Sequence, residues 1–311
     1  MAGIMVVSCS SSPDLVTLAE EERVPVTFQL AQPDIIVTRA TYDDGSVWTT
    51  GVNVSVKCTG GTEELNTVKT YVTADNGASG IMLQGSDATN TFYWLKKDVS
   101  KSFKLWYPAS ADLPTSKAVD ADQNTVLEPV FADYDLLYAE VNSVTATDMP
   151  YPTTSFYHQL ARLTVNVTMT QGVGGIAADE VVTGVNFGTA NVAVSGDVTM
   201  ATSNYNASTS SGGAQWTLGS ASATITMRTV TDGTEYTCIL PPQTIGDANT
   251  VLLTITTNHD TYTYSGAFTL YAGFHHTINA TVSRMGVIIT ASVNDWGSGG
   301  NIGSGSGTLE F

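Results

Sequence analysis

Four histidines and 29 acidic residues are the groups best suited to chemistry in this chain, but their spacing matches no familiar catalytic or metal site. His275 and His276 are adjacent, and neighbouring residues of a strand point to opposite faces, so they are poor joint ligands for one metal ion. His158 and His259 are isolated, and we interpret each as a structural or surface histidine. We therefore predict no catalytic residue, no metal site and no cofactor.

The sequence leaves two other functions open, glycoside hydrolysis and sugar binding. The short motifs of serine hydrolases, zinc proteases, P-loops and calcium loops do not occur. A carboxylate pair for glycoside hydrolysis is assembled from distant positions, so the sequence does not exclude a hydrolase. Sugar rings stack on aromatic side chains, and the candidates for such a platform are Tyr93, Trp94, Trp106 and Tyr107. Aromatic residues in strands of this kind are more often part of the core.

A lone arginine, Arg39, lies in a short polar context before Ala40, where a trypsin-like protease could cut. Residues 24–30, here called the first-strand segment, precede it and alternate apolar with other side chains, which predicts an extended segment with one apolar face. The apolar residues of this face are Val24, Val26, Phe28 and Leu30.

Cutting between Arg39 and Ala40 would separate the first-strand segment from the rest of the chain. Its loss would expose unpaired backbone and apolar side chains, which a strand from a neighbouring chain could cover. On these residues alone, the favoured interpretation is an ordinary loop arginine after an edge strand.

The composition indicates an all-β protein. Charged residues make up only 13% of the chain, while Thr, Ser, Val and Gly are abundant, and no long amphipathic helix pattern is present. The formal net charge is −17, from 12 Lys+Arg against 29 Asp+Glu. Binding to phosphate needs a localised positive surface, so we predict no nucleic-acid partner.

The three cysteines do not form an even disulfide framework. Cys58 and Cys238 lie in different halves of the chain, and we expect buried free thiols. Cys9 follows a short apolar run and precedes a polar stretch, as at the end of a bacterial lipoprotein signal, although a basic segment before the run is absent. We predict lipidation of Cys9 and a flexible tether up to residue 23.

Short β-type runs separated by turn residues suggest a β-sandwich in each half of the chain. In the second half we expect separate strands at 181–187 and 192–200. The pattern loosens before Pro150 and Pro152 and then restarts, which predicts two domains, 24–150 and 151–311. The segment 297–311 is glycine-rich and we expect a flexible tail.

Blocks along nearly the whole chain, weak singly but ordered together, resemble the fimbrillin family, the subunits of type V pili. After the lipoprotein-like Cys9 and its polar tether, these blocks are Val24 to Leu30, Thr38 to Ala40, Trp48 with Val52 to Val56, Phe92 to Trp94, Phe103 to Pro108, Asp135 to Ala139, Phe156 to His158, Ala161 to Leu163, Leu240 to Gln243, Leu270 to Gly273 and Val293 to Trp296.

The resemblance implies two tandem transthyretin-like β-sandwich domains, export as a lipoprotein to the outer membrane and cell surface, and cleavage at Arg39-Ala40 by an arginine-specific protease. It further implies a fimbrium assembled by strand exchange with other subunits, the same protein or tip and anchor proteins, which supports adhesion and biofilm formation. The strand donor would be the C-terminal segment of another subunit. In this chain, Ile302, Leu309 and Phe311 are the apolar tail residues that could fill pockets.

The principal alternative is a monomeric surface lipoprotein that binds host or bacterial surface glycans or proteins. For the tail, the alternative to a donor role is that residues 285–293 remain a strand paired within their own chain and that the tail is merely disordered. A hydrolase is the third interpretation, and turnover of a glycan would be needed to support it.

Overall fold

The computed structural model describes residues 23–31, 48–61, 64–77, 80–95, 99–125, 133–147, 151–171, 176–206 and 209–296. Every regular element within these ranges is a β-strand, so the all-β prediction is confirmed. No helix in the described part of the chain is long and apolar enough to cross a membrane. The division into two transthyretin-like domains stays a prediction.

The strands of the first half are short and numerous. They are β1 (Val24–Pro25), β2 (Phe28–Leu30), β3 (Asn53–Gly60), β4 (Val68–Asp75), β5 (Ile81–Gly85), β6 (Tyr93–Trp94), β7 (Lys101–Tyr107), β8 (Ser116–Ala118), β9 (Leu137–Val144), β10 (Thr153–Thr154) and β11 (Tyr157–His158).

The second half contains the longest strands. They are β12 (Ala161–Met169), β13 (Val182–Ala193), β14 (Ser195–Thr199), β15 (Tyr205–Asn206), β16 (Ser211–Gly212), β17 (Gln215–Leu218), β18 (Ser222–Thr226), β19 (Arg228–Thr231), β20 (Glu235–Leu240), β21 (Thr244–Ile245), β22 (Val251–Thr257), β23 (Thr261–Ser265), β24 (Phe268–Thr269), β25 (Phe274–Ser283) and β26 (Gly286–Asp295).

An eight-stranded sheet has the order β10-β2-β5-β4-β3-β7-β9-β11. Its two outermost strands belong to one short stretch, residues 153–158, which pairs with β2 at one edge and with β9 at the other. The sheet therefore curls until both edges reach the same segment. Phe156, between β10 and β11, is buried in the hydrophobic cluster that the curled sheet encloses.

A second hydrophobic cluster lies between two further sheets, with orders β19-β20-β12-β25-β26 and β18-β13-β22-β23. Side chains from both sheets, such as Leu163 of β12 and Leu253 of β22, are fully buried in it, as in a β-sandwich. The central strand β12 pairs antiparallel with β20 and parallel with β25.

A crossing arm, residues 113–125, joins the two clusters. In it, β8 pairs with β14, and Val119 is buried in the second cluster although β7 and β9 on either side belong to the eight-stranded sheet. Gln123 is fully buried and bonds the backbone of Ile239 in both directions, at 2.9 Å from its amide nitrogen and 3.0 Å to its oxygen. The domain limits 24–150 and 151–311 stay a prediction.

Candidate functional site

The first-strand segment lies between neighbours on both sides. Its first half, β1, pairs antiparallel with β6. Its second half, β2, pairs antiparallel with β5 and parallel with β10. We call the surface that surrounds it the first-strand groove: β5, β6, β10 and the side chains of Tyr71 and Phe103.

The groove receives the apolar face of the segment. Val26, Phe28 and Leu30 are at most 2% exposed, and Val24 packs against the same cluster. The Phe28 ring lies 5.3 Å from the Phe103 ring in an edge-on arrangement and 5.9 Å from the Tyr71 ring, measured between centroids. Aromatic pairs at these distances and angles add to the stabilisation from burial.

The segment changes partner at Val26 and Thr27, and a ring of three hydrogen bonds lies at this point. The Val26 N–H donates to the Phe92 carbonyl at 2.8 Å. The Phe92 N–H donates to the Tyr71 hydroxyl at 3.1 Å, and that hydroxyl donates to the Val26 carbonyl at 3.0 Å. Burial raises the pKa of Tyr71, which keeps the hydroxyl protonated as a donor.

Gln29 faces the other way and binds the segment on its outer side. Its amide nitrogen donates to the Ile81 carbonyl at 2.9 Å, and its oxygen accepts from the Asn76 side chain at 3.3 Å. Its backbone N–H donates to the Pro152 carbonyl at 3.0 Å. The segment is therefore held by side-chain and backbone contacts on both edges.

The fit is imperfect at two hydroxyl groups. Thr27 is 8% exposed and Thr154 is 4% exposed, and neither side-chain oxygen has a hydrogen-bond partner. A buried polar group without a partner lowers stability by about 1–3 kcal/mol. A strand with an apolar side chain at the Thr27 position would avoid one of these costs.

Gly85 brings the β6 side of the groove into position. A Cβ atom at residue 85 would lie 2.1 Å from the Thr91 hydroxyl oxygen and 2.7 Å from the Thr91 Cα. Only a glycine allows this approach, which places the next residue, Phe92, against Tyr71.

The predicted processing residues Arg39 and Ala40 and the predicted lipidation residue Cys9 lie outside the described residues. The same holds for the predicted donor residues Ile302, Leu309 and Phe311. Their roles stay predictions. Residues 286–293 of the expected strand 285–293 do pair within the chain, since β26 runs antiparallel to β25 over ten consecutive residue pairs without a register shift.

The four aromatic residues considered as a sugar platform do not share an exposed surface. Trp94 is 2% exposed and Trp106 is fully buried, with its ring nitrogen 2.8 Å from the Ser110 hydroxyl. Tyr107 is half-buried and its hydroxyl donates to Asp133 at 2.7 Å. Two of the four side chains are therefore core residues.

The side chains of His158, His275 and His276 each contact other residues of the fold. Nδ1 of His158 lies 2.6 Å from Asp135, and its ring stacks on Trp296 at 4.0 Å. His276 is buried, whereas His275 faces the opposite side of β25 and contacts Thr164. Among the described residues no group of three His, Cys, Asp or Glu side chains is placed to hold a metal ion.

Tyr71 was not singled out in the sequence. It lies in an ordinary strand run, and its importance depends on Phe92 and Val26, which are distant in the chain. No local sequence pattern indicates that the hydroxyl of this tyrosine will lie at the point where the first-strand segment changes its partner from β6 to β5.

The comparison with known families decides the classification. Residues 38–296 match the family described as fimbrillin-like. The chain belongs to the fimbrillin-like family. The groove strands β5, β6 and β10 lie within the matched range, whereas the first-strand segment precedes it.

Solved structures resemble this fimbrillin-like protein over most of their length. A candidate cell adhesion protein from Bacteroides uniformis has a TM-score of 0.62 at 21% identity, covering 90% of this chain and 100% of that chain. Another from Bacteroides ovatus has a TM-score of 0.58 at 20% identity, covering 88% and 98%. At these identities the likeness shows the fold. No curated protein matches the chain.

Proposed function

We propose that this fimbrillin-like protein is a non-enzymatic structural subunit of a bacterial surface fimbria, in which the first-strand segment fills a groove that another subunit later occupies. The observation that carries this proposal is the position of β2 between β5 and β10, with Val26, Phe28 and Leu30 buried beneath it. A segment that lies between two strands leaves an open groove when it is removed.

In the proposed cycle, an arginine-specific protease cuts between Arg39 and Ala40, and the first-strand segment leaves. Burial of one large apolar side chain contributes about 2 kcal/mol, so the empty groove loses three such contributions and several backbone hydrogen bonds. A strand from another subunit restores them, which makes the joint long-lived. Head-to-tail addition of this kind gives a fibre.

The proposed function also includes export of the precursor to the cell surface. The precursor is lipidated at Cys9, anchored in the outer membrane at the cell surface, and assembled there with further copies or with tip and anchor subunits. Two proteins of similar fold are described as candidate cell adhesion proteins, which supports a role in adhesion. Support of biofilm formation is part of the proposal.

The tail 297–311 is our proposed donor. Leu309 and Phe311 have the same two-residue spacing as Val26 and Phe28, the residues whose pockets they would fill. This register places Glu310 at the buried Thr27 position, where an unpaired carboxylate is unfavourable. Deleting 297–311 should abolish polymerisation of a folded monomer, and Glu310→Thr should accelerate it. Fibres from the deleted form would show that another segment is the donor.

A disulfide that locks the first-strand segment tests the proposed function. Gln29 and Met82 are direct antiparallel partners on the outer side of the groove, so Gln29→Cys with Met82→Cys, in a Cys9→Ser background, can be joined. After treatment with the arginine-specific protease, the oxidised protein should stay monomeric and the reduced protein should polymerise.

The matched control joins two partners far from the groove, Thr254→Cys with Thr263→Cys on β22 and β23. This disulfide should leave polymerisation unchanged in both redox states. Equal polymerisation of the locked and reduced groove variants would contradict the proposal, because assembly would then not need the groove.

A further inference from the structure

A long strand edge lies at β26, on the outside of the second half of the protein. β26 has ten residues and is paired on one side only, with β25, and without a register shift. The other edge strands of the two sandwich sheets, β18, β19 and β23, have four or five residues. Residues 286–294 carry no charge and no proline, in a chain of net charge −17. Edge strands are usually protected by charges, prolines, bulges or a covering segment, so this edge is suited to pairing with a further strand.

The backbone groups that point to this edge belong to the odd-numbered residues of β26. The Trp296 N–H donates to the Gly273 carbonyl at 3.0 Å and extends the pairing of β26 with β25 by one residue. Bonded and non-bonded positions alternate along an antiparallel pair, so the even-numbered residues bond to β25. In the described part of the chain, no other backbone group bonds to the odd-numbered ones. An added strand would therefore bond to these residues.

Ile288 gives the edge an apolar contact. Its side chain is 70% exposed on the solvent-facing side of β26, whereas Ile289 is buried in the second cluster. As an even-numbered residue, Ile288 would form a non-hydrogen-bonded pair with the added strand, and side chains approach each other most closely in such pairs. The edge therefore favours a strand that places a large apolar side chain opposite Ile288.

The residues that follow β26 in the chain can supply this strand through a tight turn. Ser298-Gly299 is a turn dipeptide, and a two-residue loop there would pair Gly297 with Gly300. The closing pair of a two-residue hairpin loop is bonded through its backbone. Residue 297 is odd-numbered, so this loop continues the bonding positions that the edge of β26 offers.

The same register matches the apolar residues of the tail to the edge. It places Leu309 opposite Ile288 and Phe311 opposite Gly286, where an aromatic side chain can cover the strand glycine. A loop two residues later would also offer bonds to the odd-numbered residues, but it would place Leu309 opposite the polar Ser292. The exposed Ile288 therefore favours the loop at Ser298-Gly299.

We propose that residues 301–311 pair with the edge of β26 in their own uncut chain, with Leu309 on Ile288. We call this added strand the stored tail. Leu309 and Phe311 are also the residues proposed above to fill the groove of another subunit, so storage and donation exclude each other. Gly303, Gly305 and Gly307 weaken the added strand, which keeps the storage reversible. The effect on assembly rests on the proposed function, whereas the stored tail itself is a property of the uncut chain.

Rates of disulfide formation in the full-length, uncut chain with Cys9→Ser locate the tail. Thr290→Cys, at an exposed position of β26, is combined in turn with Gly303→Cys, Gly305→Cys and Gly307→Cys. Only residue 307 faces residue 290 in the proposed register, and diagonal neighbours are too far apart for a disulfide. In an unpaired tail the pair with residue 303 would close fastest, because loop closure favours the shorter loop. The stored tail and the unpaired tail therefore predict opposite orders of rate.

We expect the pair with Gly307→Cys to close roughly tenfold faster than the pair with Gly303→Cys. Adding Ile288→Ser should abolish this preference, because it removes the apolar contact with Leu309. Leu218→Ser is the matched control, since Leu218 is an apolar residue of β17 that is 42% exposed, and it should keep the preference. A parent without the preference, an unchanged preference in Ile288→Ser, or an equal loss in Leu218→Ser would overturn the inference.

The size of the oxidised product identifies the chain that supplies the tail. A stored tail gives disulfides within one chain, at a rate that does not depend on protein concentration. Disulfide-linked dimers in their place would show that the edge of β26 binds the tail of a second copy, and would overturn the inference.

Polymerisation after cutting separates the stored tail from the proposed function. With all cysteine substitutions except Cys9→Ser omitted, Ile288→Ser should polymerise faster than Leu218→Ser, because its tail is released. Equal polymerisation of the two variants would overturn the storage of the donor. The expected disulfide rates without any polymerisation after cutting would contradict the proposed function alone.

Discussion

Phe28 is the residue through which the first-strand segment reaches the aromatic part of the first hydrophobic cluster. Its ring is fully buried between Tyr71 and Phe103, and Phe103 in turn packs edge-on against Trp94. The alternation of residues 24–30 predicted an inward Phe28, but no local pattern identifies Tyr71 and Phe103 as its neighbours. Those contacts depend on strand pairing over long sequence separations.

Phe28→Ala should loosen the segment without unfolding the rest of the protein. Removing a buried phenylalanine side chain costs about 3–5 kcal/mol, and here the loss falls on a segment of only two short strands. Hydrogen exchange at the amides of Val26, Gln29 and Ala31 should become faster. Thr153→Ala, an exposed change on β10, is the control, and similar exchange in both variants would contradict the expectation.

His276 makes stability depend on pH in a definite direction. Desolvation by burial lowers its pKa from 6.5 to about 4. The backbone N–H of Tyr271 donates to its Nε2 at 3.0 Å, and only the unprotonated nitrogen can accept this bond. The unfolded chain therefore binds a proton near pH 6.5, and the folded chain binds it only near pH 4. Acid favours the unfolded state throughout this window.

The free energy of unfolding should fall by up to about 3 kcal/mol through this residue as pH drops from about 6.5 to about 4. Denaturant unfolding of the parent and of His276→Gln at several pH values measures the effect, and the variant should lose this part of the pH dependence. His259→Asn, at a more exposed histidine, should retain it. A parent-like pH profile in His276→Gln would contradict the assignment.

At the scale of elements, sequence patterns located strands better than their ends. The first-strand segment was expected to be one strand, but it divides into β1 and β2 because its partner changes from β6 to β5. Strands expected at 181–187 and 192–200 instead form β13, which continues to Ala193, and β14. The register of β13 against β18 shifts between Phe187 and Val192, and such an irregularity depends on the neighbouring strand.

Gly85→Ala tests how the β5 to β6 connection shapes the groove. The added methyl group would overlap Thr91, so Phe92 must move away from Tyr71 and Val26. We expect lower thermal stability together with faster exchange at the Val26 amide. Gly184→Ala on β13 meets no atom within 4 Å and serves as the control. A stability loss no larger than that of the control would show that the close approach is not required.

For the whole molecule, composition was sufficient to predict the fold class, and the order of weak blocks was sufficient to predict the family. The path of the crossing arm was not predictable, because residues 113–125 have a loose pattern and their strand partner β14 lies far along the chain. The arm carries Val119 into the second cluster, where Tyr134 and Leu136 are also buried. The crossing arm therefore packs in the second cluster, although the strands before and after it in the chain, β7 and β9, belong to the eight-stranded sheet.

Gln123→Ala should weaken the attachment of the crossing arm. It leaves both the N–H and the carbonyl of Ile239 without their side-chain partner, at an expected cost of about 3 kcal/mol in the free energy of unfolding. Denaturant unfolding measures this loss. Gln84→Ala, at an exposed glutamine of β5, should change the free energy of unfolding little. Equal losses in the two variants would contradict the view that Gln123 attaches the crossing arm to β20.

The central claim is that the first-strand segment is a removable occupant of its groove. Limited digestion of the purified protein with an arginine-specific protease, followed by intact mass measurement and electron microscopy, tests it most directly, with Arg39→Lys as the uncut control. We predict a single cut between Arg39 and Ala40 and then fibres or ladders, both missing in the control. Resistance at Arg39, or a cut protein that keeps its first-strand segment and stays monomeric, would contradict the account.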